Sequence, residues 1–168
     1  DDLGAKNITI IDNAKDKATE ELEKDAGDAK DKIDKLPNLS DDEKKAAKDK
    51  IDEAVKEGKE QIEKGESPED ITESKKDTVE SIDKIVDNAK LADEKIAAKA
   101  ELEKKAQSTK DAIDELTGIS KEDKKNAKEL VDQALEDAKK AVDQAKDSEA
   151  VQAAVSNGKK AMDEIYNK

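Results

Sequence analysis

The sequence predicts an all-α protein: tandem three-helix bundles joined by a continuous shared helix, forming an elongated rod. Three observations predict this fold. Ala, Lys, Glu, Asp, Ile and Leu dominate the chain, and apolar residues recur three and four positions apart, as they do on one face of a helix. The chain also repeats itself at a fixed interval. Finally, no glycine or proline occurs between Glu69 and Thr117, so nothing there would end a helix.

The repeat becomes visible when the chain is aligned with itself at an offset of 106 − 26 = 80 residues. Ala26–Asp87 then matches Ala106–Asn167 without a gap, and 17 of the 62 aligned pairs are identical. Apolar positions stay apolar, as a shared core requires. Examples are Ile33 with Ile113, Leu39 with Ile119, Ile51 with Val131, Ile62 with Val142, Ile82 with Met162, and Ile85 with Ile165.

The first helix of copy one is predicted to run from about Ile11 to Lys35. Its apolar stripe consists of Ala14, Ala18, Leu22, Ala26, Ala29 and Ile33. Pro37 predicts its end, because proline disfavours a helical conformation in the residue before it. In copy two the equivalent stop is Thr117-Gly118, where glycine supplies the terminal turn.

The second helix is predicted to begin at Ser40, because Ser40 and Glu43 form a capping box. Ser120 and Asp123 are a weaker version in copy two. The helix is expected to end near Gly65. Its buried stripe is predicted to be Ala47, Ile51, Ala54, Val55, Gly58 and Ile62.

The third helix is predicted to start at Ser67, a good N-cap, followed by Pro68 at the first helical position. Its stripe is expected to be Ile71, Lys75, Thr78, Ile82, Ile85, Ala89, Ala92 and Ile96. Without a breaker, residues 69–115 are predicted to be one helix about 70 Å long. Its two halves would then belong to successive copies.

The same alignment predicts the division of the chain. Gly4, Lys6 and Ile11 match Gly158, Lys160 and Ile165, so residues 1–10 are predicted to be the end of a preceding repeat. Residues 11–87 then form repeat one and residues 88–168 form repeat two. The expected partners are therefore neighbouring repeats of the same chain, which stabilise one another by stacking.

The loop and the second helix resemble a known family. The run Leu36-Pro37-Asn38-Leu39-Ser40-Asp41-Asp42-Glu43-Lys44, followed by Ala47 and Ile51-Asp52-Glu53-Ala54, resembles domain of unknown function fifteen forty-two. Copy two departs mildly, since Leu116-Thr117-Gly118-Ile119-Ser120 lacks the proline. Such repeats occur in arrays in wall-anchored surface proteins of staphylococci, lactobacilli and related Gram-positive bacteria. The resemblance implies a stalk between a distal binding domain and the wall anchor, and it implies no catalytic residues.

Composition disfavours several functions. The net charge of 33 − 46 = −13 repels phosphate backbones, so no nucleic-acid partner is expected. No stretch approaches the roughly 18 apolar residues of a membrane span. The chain has no His and no Cys, and Tyr166 is its one aromatic residue. We therefore expect no enzyme activity, no catalytic, cofactor-binding or metal-binding residues, and no cofactor.

One set of acids could still suggest a Ca²⁺ site. An aspartate follows an apolar core residue at equivalent positions of both copies: Asp34, Asp52, Asp83, Asp114, Asp132 and Asp163. Calcium loops need several oxygens within one turn, and no such spacing occurs here. These acids are instead expected to pair with lysines three or four residues away, such as Asp52 with Lys48 or Lys56. Tyr166 is expected to be the core equivalent of Val86, or else to mark a contact patch.

The predicted function is a structural segment, a stalk or spacer, of an extracellular adhesin anchored to the cell wall through other parts of a longer chain. The alternative is a helical module that binds a host protein such as albumin, fibrinogen or immunoglobulin. A binding module predicts an exposed apolar or aromatic cluster on one face, whereas a spacer does not.

Overall fold

In the computed structural model, residues 2–168 are described, with side chains from residue 4 onward. Five α-helices and no strand occur in this range: α1 (Asp2–Asp34), α2 (Asp41–Lys64), α3 (Pro68–Asp114), α4 (Lys121–Gln144) and α5 (Ser148–Asn167). The prediction of an all-α fold with a continuous shared helix is confirmed. Residues 1–3 of the segment predicted to end a preceding repeat lie outside the described side chains.

The helices form two compact units, divided after Lys90. Unit one contains α1, α2 and the first part of α3. Unit two contains the rest of α3 together with α4 and α5. Each unit is therefore a three-helix bundle, and the 47-residue helix α3 supplies a helix to both.

The caps predicted from the sequence start the helices. Ser40 Oγ accepts from the Glu43 N–H at 3.1 Å, and the Ser40 N–H donates to Glu43 Oε1 at 3.2 Å, so the capping box is complete. Ser67 Oγ accepts from the Asp70 N–H at 3.2 Å ahead of α3. Helix α1 begins at Asp2, well before the predicted Ile11, because nothing interrupts the helical sequence between them.

Each core consists of small and branched aliphatic side chains. In unit one, Ile62 and Ile71 pack with Ala18 and Leu22. Unit two has a cluster drawn from all three of its helices. Its members are Ala98, Leu102, Ala106, Ile113, Val131, Ala138, Val142, Ala145, Val151, Ala154, Val155 and Met162.

In the stripe predicted to be buried in α2, Ala47 and Ala54 are only half-buried. Three further predictions about core positions are wrong. Leu39 is buried, but its equivalent Ile119 is 41% exposed. The two loops differ because Gly118 takes a left-handed conformation with φ of 78°, whereas no non-glycine residue of the described chain has a positive φ. Tyr166 is 40% exposed, although Val86 is buried, so it is not a core residue.

The third wrong prediction concerns the stripe of α3. Ala92 and Ile96 are only half-buried, while the buried positions after Ala89 are Asp93 and Ala98. The regular steps of three and four break at this point. The break lies just after Lys90, where the two units divide.

Candidate functional site

Five of the six aspartates singled out in the sequence, all except Asp83, form ion pairs with lysines of neighbouring helices. Asp52 of α2 pairs with Lys30 of α1, and Asp34 of α1 accepts from Lys48 of α2 at 2.8 Å. The predicted pairing of Asp52 with Lys48 or Lys56 on its own helix is therefore wrong. In a thin bundle, the flanks of adjacent helices lie within reach of a lysine side chain, which also covers apolar surface with its stem. Asp83 lies beside Asp25 and Asp28 in a surface depression between α1 and α3.

The ion pairs recur in both units at the 80-residue interval. Lys110–Asp132 repeats Lys30–Asp52, and Lys128–Asp114 repeats Lys48–Asp34, each at 2.8 Å in unit two. Lys139–Glu103 likewise repeats Lys59–Glu23. Exposed pairs of this kind contribute about 0–1 kcal/mol each. Their repetition therefore indicates that they align the helices more than they stabilise the fold.

Two of these lysines, Lys48 and Lys139, have a pKa above the ordinary value for lysine. The hydrogen bond that Lys48 donates to Asp34 is the main cause that raises the pKa of Lys48 above 10.5. The hydrogen bond that Lys139 donates to Glu103 does the same for the pKa of Lys139. A raised lysine pKa means that the stabilisation is fully present below about pH 10.5 and is lost as the pH rises through the folded-state pKa. These pairs therefore persist through the neutral range.

Four further lysines, which the sequence did not single out, donate to carbonyl groups at helix ends. Lys44 and Lys124 each reach back 2.9 Å to the carbonyl oxygens of Asp34 and Asp114. These residues again differ by 80. Lys15 and Lys95 donate to the carbonyl oxygens of Glu63 and Asp143 at 2.7 and 3.0 Å. The carbonyls in the last turn of a helix lack intrahelical partners and carry partial negative charge, so a lysine from a neighbouring helix both satisfies and caps them.

In each unit, one close contact between helices depends on a glycine. In unit one, a Cβ built on Gly58 of α2 would lie 2.6 and 2.9 Å from Cγ2 and Cβ of Thr78 on α3. In unit two, a Cβ built on Gly158 of α5 would lie 2.7 Å from the Ala138 Cβ on α4 and 2.8 Å from Leu102 Cδ2. All four distances are too short for real contacts, so neither glycine can gain a side chain without movement of its neighbours.

The two contacts involve equivalent positions of the two units. The glycine lies on the second helix in unit one and on the third helix in unit two. Ala138 is the equivalent of Gly58, and Gly158 is the equivalent of Thr78. Unit one therefore combines glycine on the second helix with threonine on the third, and unit two combines alanine with glycine. We call these four residues the crossing pairs. They keep the combined volume small enough for close approach in each unit.

The model of the domain of unknown function DUF1542 matches residues 14–90 and 94–167, which is most of the chain in two tandem copies. The chain belongs to this family. The resemblance seen in the loop and the second helix is thereby confirmed. Sequence relatives of the DUF1542 pair include extracellular matrix-binding protein EbhA from Staphylococcus aureus strain Mu3, which is 28% identical over 155 residues. Extracellular matrix-binding protein ebh from strain JH9 and EbhA from strain Newman are also 28% identical.

The chain spans only a small part of the length of these relatives. The matched region covers 92% of this chain but 2%, 1% and 4%, respectively, of the three relatives. The relatives are named as proteins that bind extracellular matrix, which agrees with the prediction of a repeat segment from a bacterial surface protein. No solved structure matches the chain. Within the described residues, no helix has the length and apolar character needed to cross a bilayer.

Metal ions are expected to have little effect on this DUF1542 pair. Within the described part of the chain, no three acidic side chains come together in a way that could hold an ion. At constant ionic strength, millimolar Ca²⁺ or Zn²⁺ should shift the Tm by less than about 1 °C, since only ligands that bind the folded state raise it. Calorimetry with and without each ion tests this. A saturable rise in Tm with ion concentration would show that the carboxylates do form a site.

Proposed function

We propose that this DUF1542 pair is a spacer segment in a stalk that projects a binding domain from the bacterial cell surface. Continuity of α3 carries this proposal. Pro68–Asp114 is a single helix, and it buries Ile71 and Ile82 in unit one and Leu102 and Ile113 in unit two. A bend between the units would therefore have to break helical hydrogen bonds, whereas a loop linker bends by simple rotation.

The rest of the proposal follows from the repeat. Residues 1–10, 11–87 and 88–168 are taken as the end of one repeat and two further repeats, so the partners of each bundle are its neighbours in the chain. Stacked repeats gain stability from their interfaces, and their combined length grows with their number. Wall anchoring is assigned to other parts of a longer chain. No catalytic step or cofactor is required for this role.

Small-angle scattering tests the spacer directly. A compact globule of 168 residues would have a radius of gyration of about 15 Å. The spacer proposal expects a clearly larger value and a distance distribution with a long tail, because α3 alone would span about 70 Å. A radius near that of a compact globule would exclude the stalk.

A second candidate function is binding of a host protein such as albumin, fibrinogen or immunoglobulin. The name of the Staphylococcus aureus relatives favours it. Among the described residues of unit two, Ile119 and Leu130 are exposed aliphatic side chains, and Leu130 is 58% exposed where unit one has Lys50. A pull-down from plasma with the native chain and with Leu130→Lys separates the two functions. Capture of one protein by the native chain alone would favour the binding module.

A further inference from the structure

The first turns of α1 present an apolar face that no other helix covers. Ile8 is 62% exposed, and a Cβ built on Gly4 would meet no atom within 4 Å. The face is continuous with the core of unit one, because Ile11, one turn further along, packs against the cluster that contains Ala18 and Leu22. An exposed aliphatic face that leads into a core is a surface to which another element can dock.

The register of this face is that of a third helix. Gly4, Ile8 and Ile11 coincide with Gly158, Met162 and Ile165 at a common offset of 158 − 4 = 154. They coincide with Thr78, Ile82 and Ile85 at 78 − 4 = 74. Met162 is fully buried in unit two, and Ile82 is 1% exposed in unit one. The exposed face of α1 therefore carries the residues that third helices bury.

The crossing pairs specify the partner further. A third helix with threonine faces glycine, as Thr78 faces Gly58, and a third helix with glycine faces alanine and leucine, as Gly158 faces Ala138 and Leu102. Gly4 belongs to the second kind. Opposite a glycine it would leave a void, and opposite an alanine it would allow close packing.

We infer that the Gly4–Ile8–Ile11 face docks between the first and second helices of another repeat, and that this repeat carries alanine at the Gly58/Ala138 position. The inference rests on the proposed tandem array and adds the identity of the docking surface. It assigns the occupant as a helix pair of the same family with the chemistry of unit two: an alanine on one helix and a leucine on the other.

Grafting within the intact chain tests the assignment. Replacing residues 158–165 by residues 4–11 places Gly4, Ile8 and Ile11 at the buried positions of α5. The graft removes two surface pairs, Lys159–Glu101 and Lys105–Asp163. The unit should nevertheless fold, with its Tm lowered by no more than about 5 °C, since such pairs contribute little. Residues 5–12 at the same place are the matched control. This replacement is shifted by one residue, so it puts alanine at position 158 and threonine at position 162. It should lower the Tm by more than about 10 °C.

Unit one supplies the test of specificity. Residues 4–11 in place of residues 78–85 should lower the Tm of unit one, because glycine then faces Gly58. Adding Gly58→Ala should restore at least about half of the lost Tm.

The inference would be overturned if the two replacements in unit two, residues 4–11 and residues 5–12, lowered the Tm equally. It would also be overturned if Gly58→Ala restored none of the lost Tm in unit one. A dimer of the native chain that Ile8→Lys abolishes in sedimentation would overturn it too, because a second copy would then cover the face. These readouts are independent of the scattering experiment, which tests the spacer proposal itself.

Discussion

Ala89→Pro should interrupt α3 and destabilise the protein by about 3 kcal/mol or more. Ala89 is buried in the interior of this helix, 7% exposed. Proline there removes the N–H that bonds to the carbonyl of Ile85, and its ring collides with that same carbonyl. Denaturant unfolding followed by circular dichroism should show a lower midpoint. The spacer proposal also expects a changed distance distribution in scattering, because the helix on which it rests would be kinked or broken.

Thr117→Pro is the matched control for this substitution. Position 117 lies in a loop, and its equivalent in copy one is already Pro37. The control should leave both the unfolding midpoint and the scattering curve nearly unchanged. If Ala89→Pro behaves like Thr117→Pro, the segment around Ala89 already acts as a flexible linker and the stalk proposal fails.

Gly58→Ala should destabilise unit one by about 1–3 kcal/mol, which is the usual cost of overpacking a core. On helix propensity alone the change would be favourable by about 1 kcal/mol, so the crowding against Thr78 decides the sign. Threonine cannot relieve the contact by a rotamer change alone, because its own Cβ is also too close. Its Oγ1 is further held by donating to the Ser74 carbonyl at 2.8 Å.

Three further variants show what causes the destabilisation. Gly27 of α1 has open space around it, so Gly27→Ala should stabilise by about 0.8–1 kcal/mol through propensity alone. Thr78→Gly should destabilise by itself, but the double variant Gly58→Ala with Thr78→Gly recreates the pair found in unit two. The double variant should be more stable than the sum of the single effects predicts, by at least about 1 kcal/mol. Additive effects would mean that the two positions do not interact.

The features that could be predicted from the sequence are those that depend on residues close to one another along the chain. Ser40 and Ser67 identify helix starts because each cap is complete within three residues. Continuity of α3 was predictable for the same reason, since a helix ends only where a nearby residue ends it. The periodic stripe also identified Gly58 as buried.

The remaining features required knowledge of which helix flanks face each other. Lys30 reaches Asp52 across an interface, and nothing in the spacing of these residues along the chain reveals it. The crossing pairs could not be predicted from the sequence for a similar reason. Gly58 and Thr78 lie 20 positions apart, and their complementarity appears only when the two units are compared in space. Ile119 was misplaced because one left-handed glycine redirects its loop.

The crossing pairs also limit how such a gene can grow by recombination between its repeats. A crossover whose breakpoint falls between the codons for Gly58 and Thr78 would join the second helix of one repeat to the third helix of another. One product would set Ala138 against Thr78, where the side chains collide, and the other would set Gly58 against Gly158 and leave a hole. A breakpoint anywhere in α3 beyond Thr78 keeps each pair together. Arrays should therefore expand or contract through exchanges outside this interval, such as those within the shared helix, and the block from Gly58 to Thr78 should be inherited as one unit.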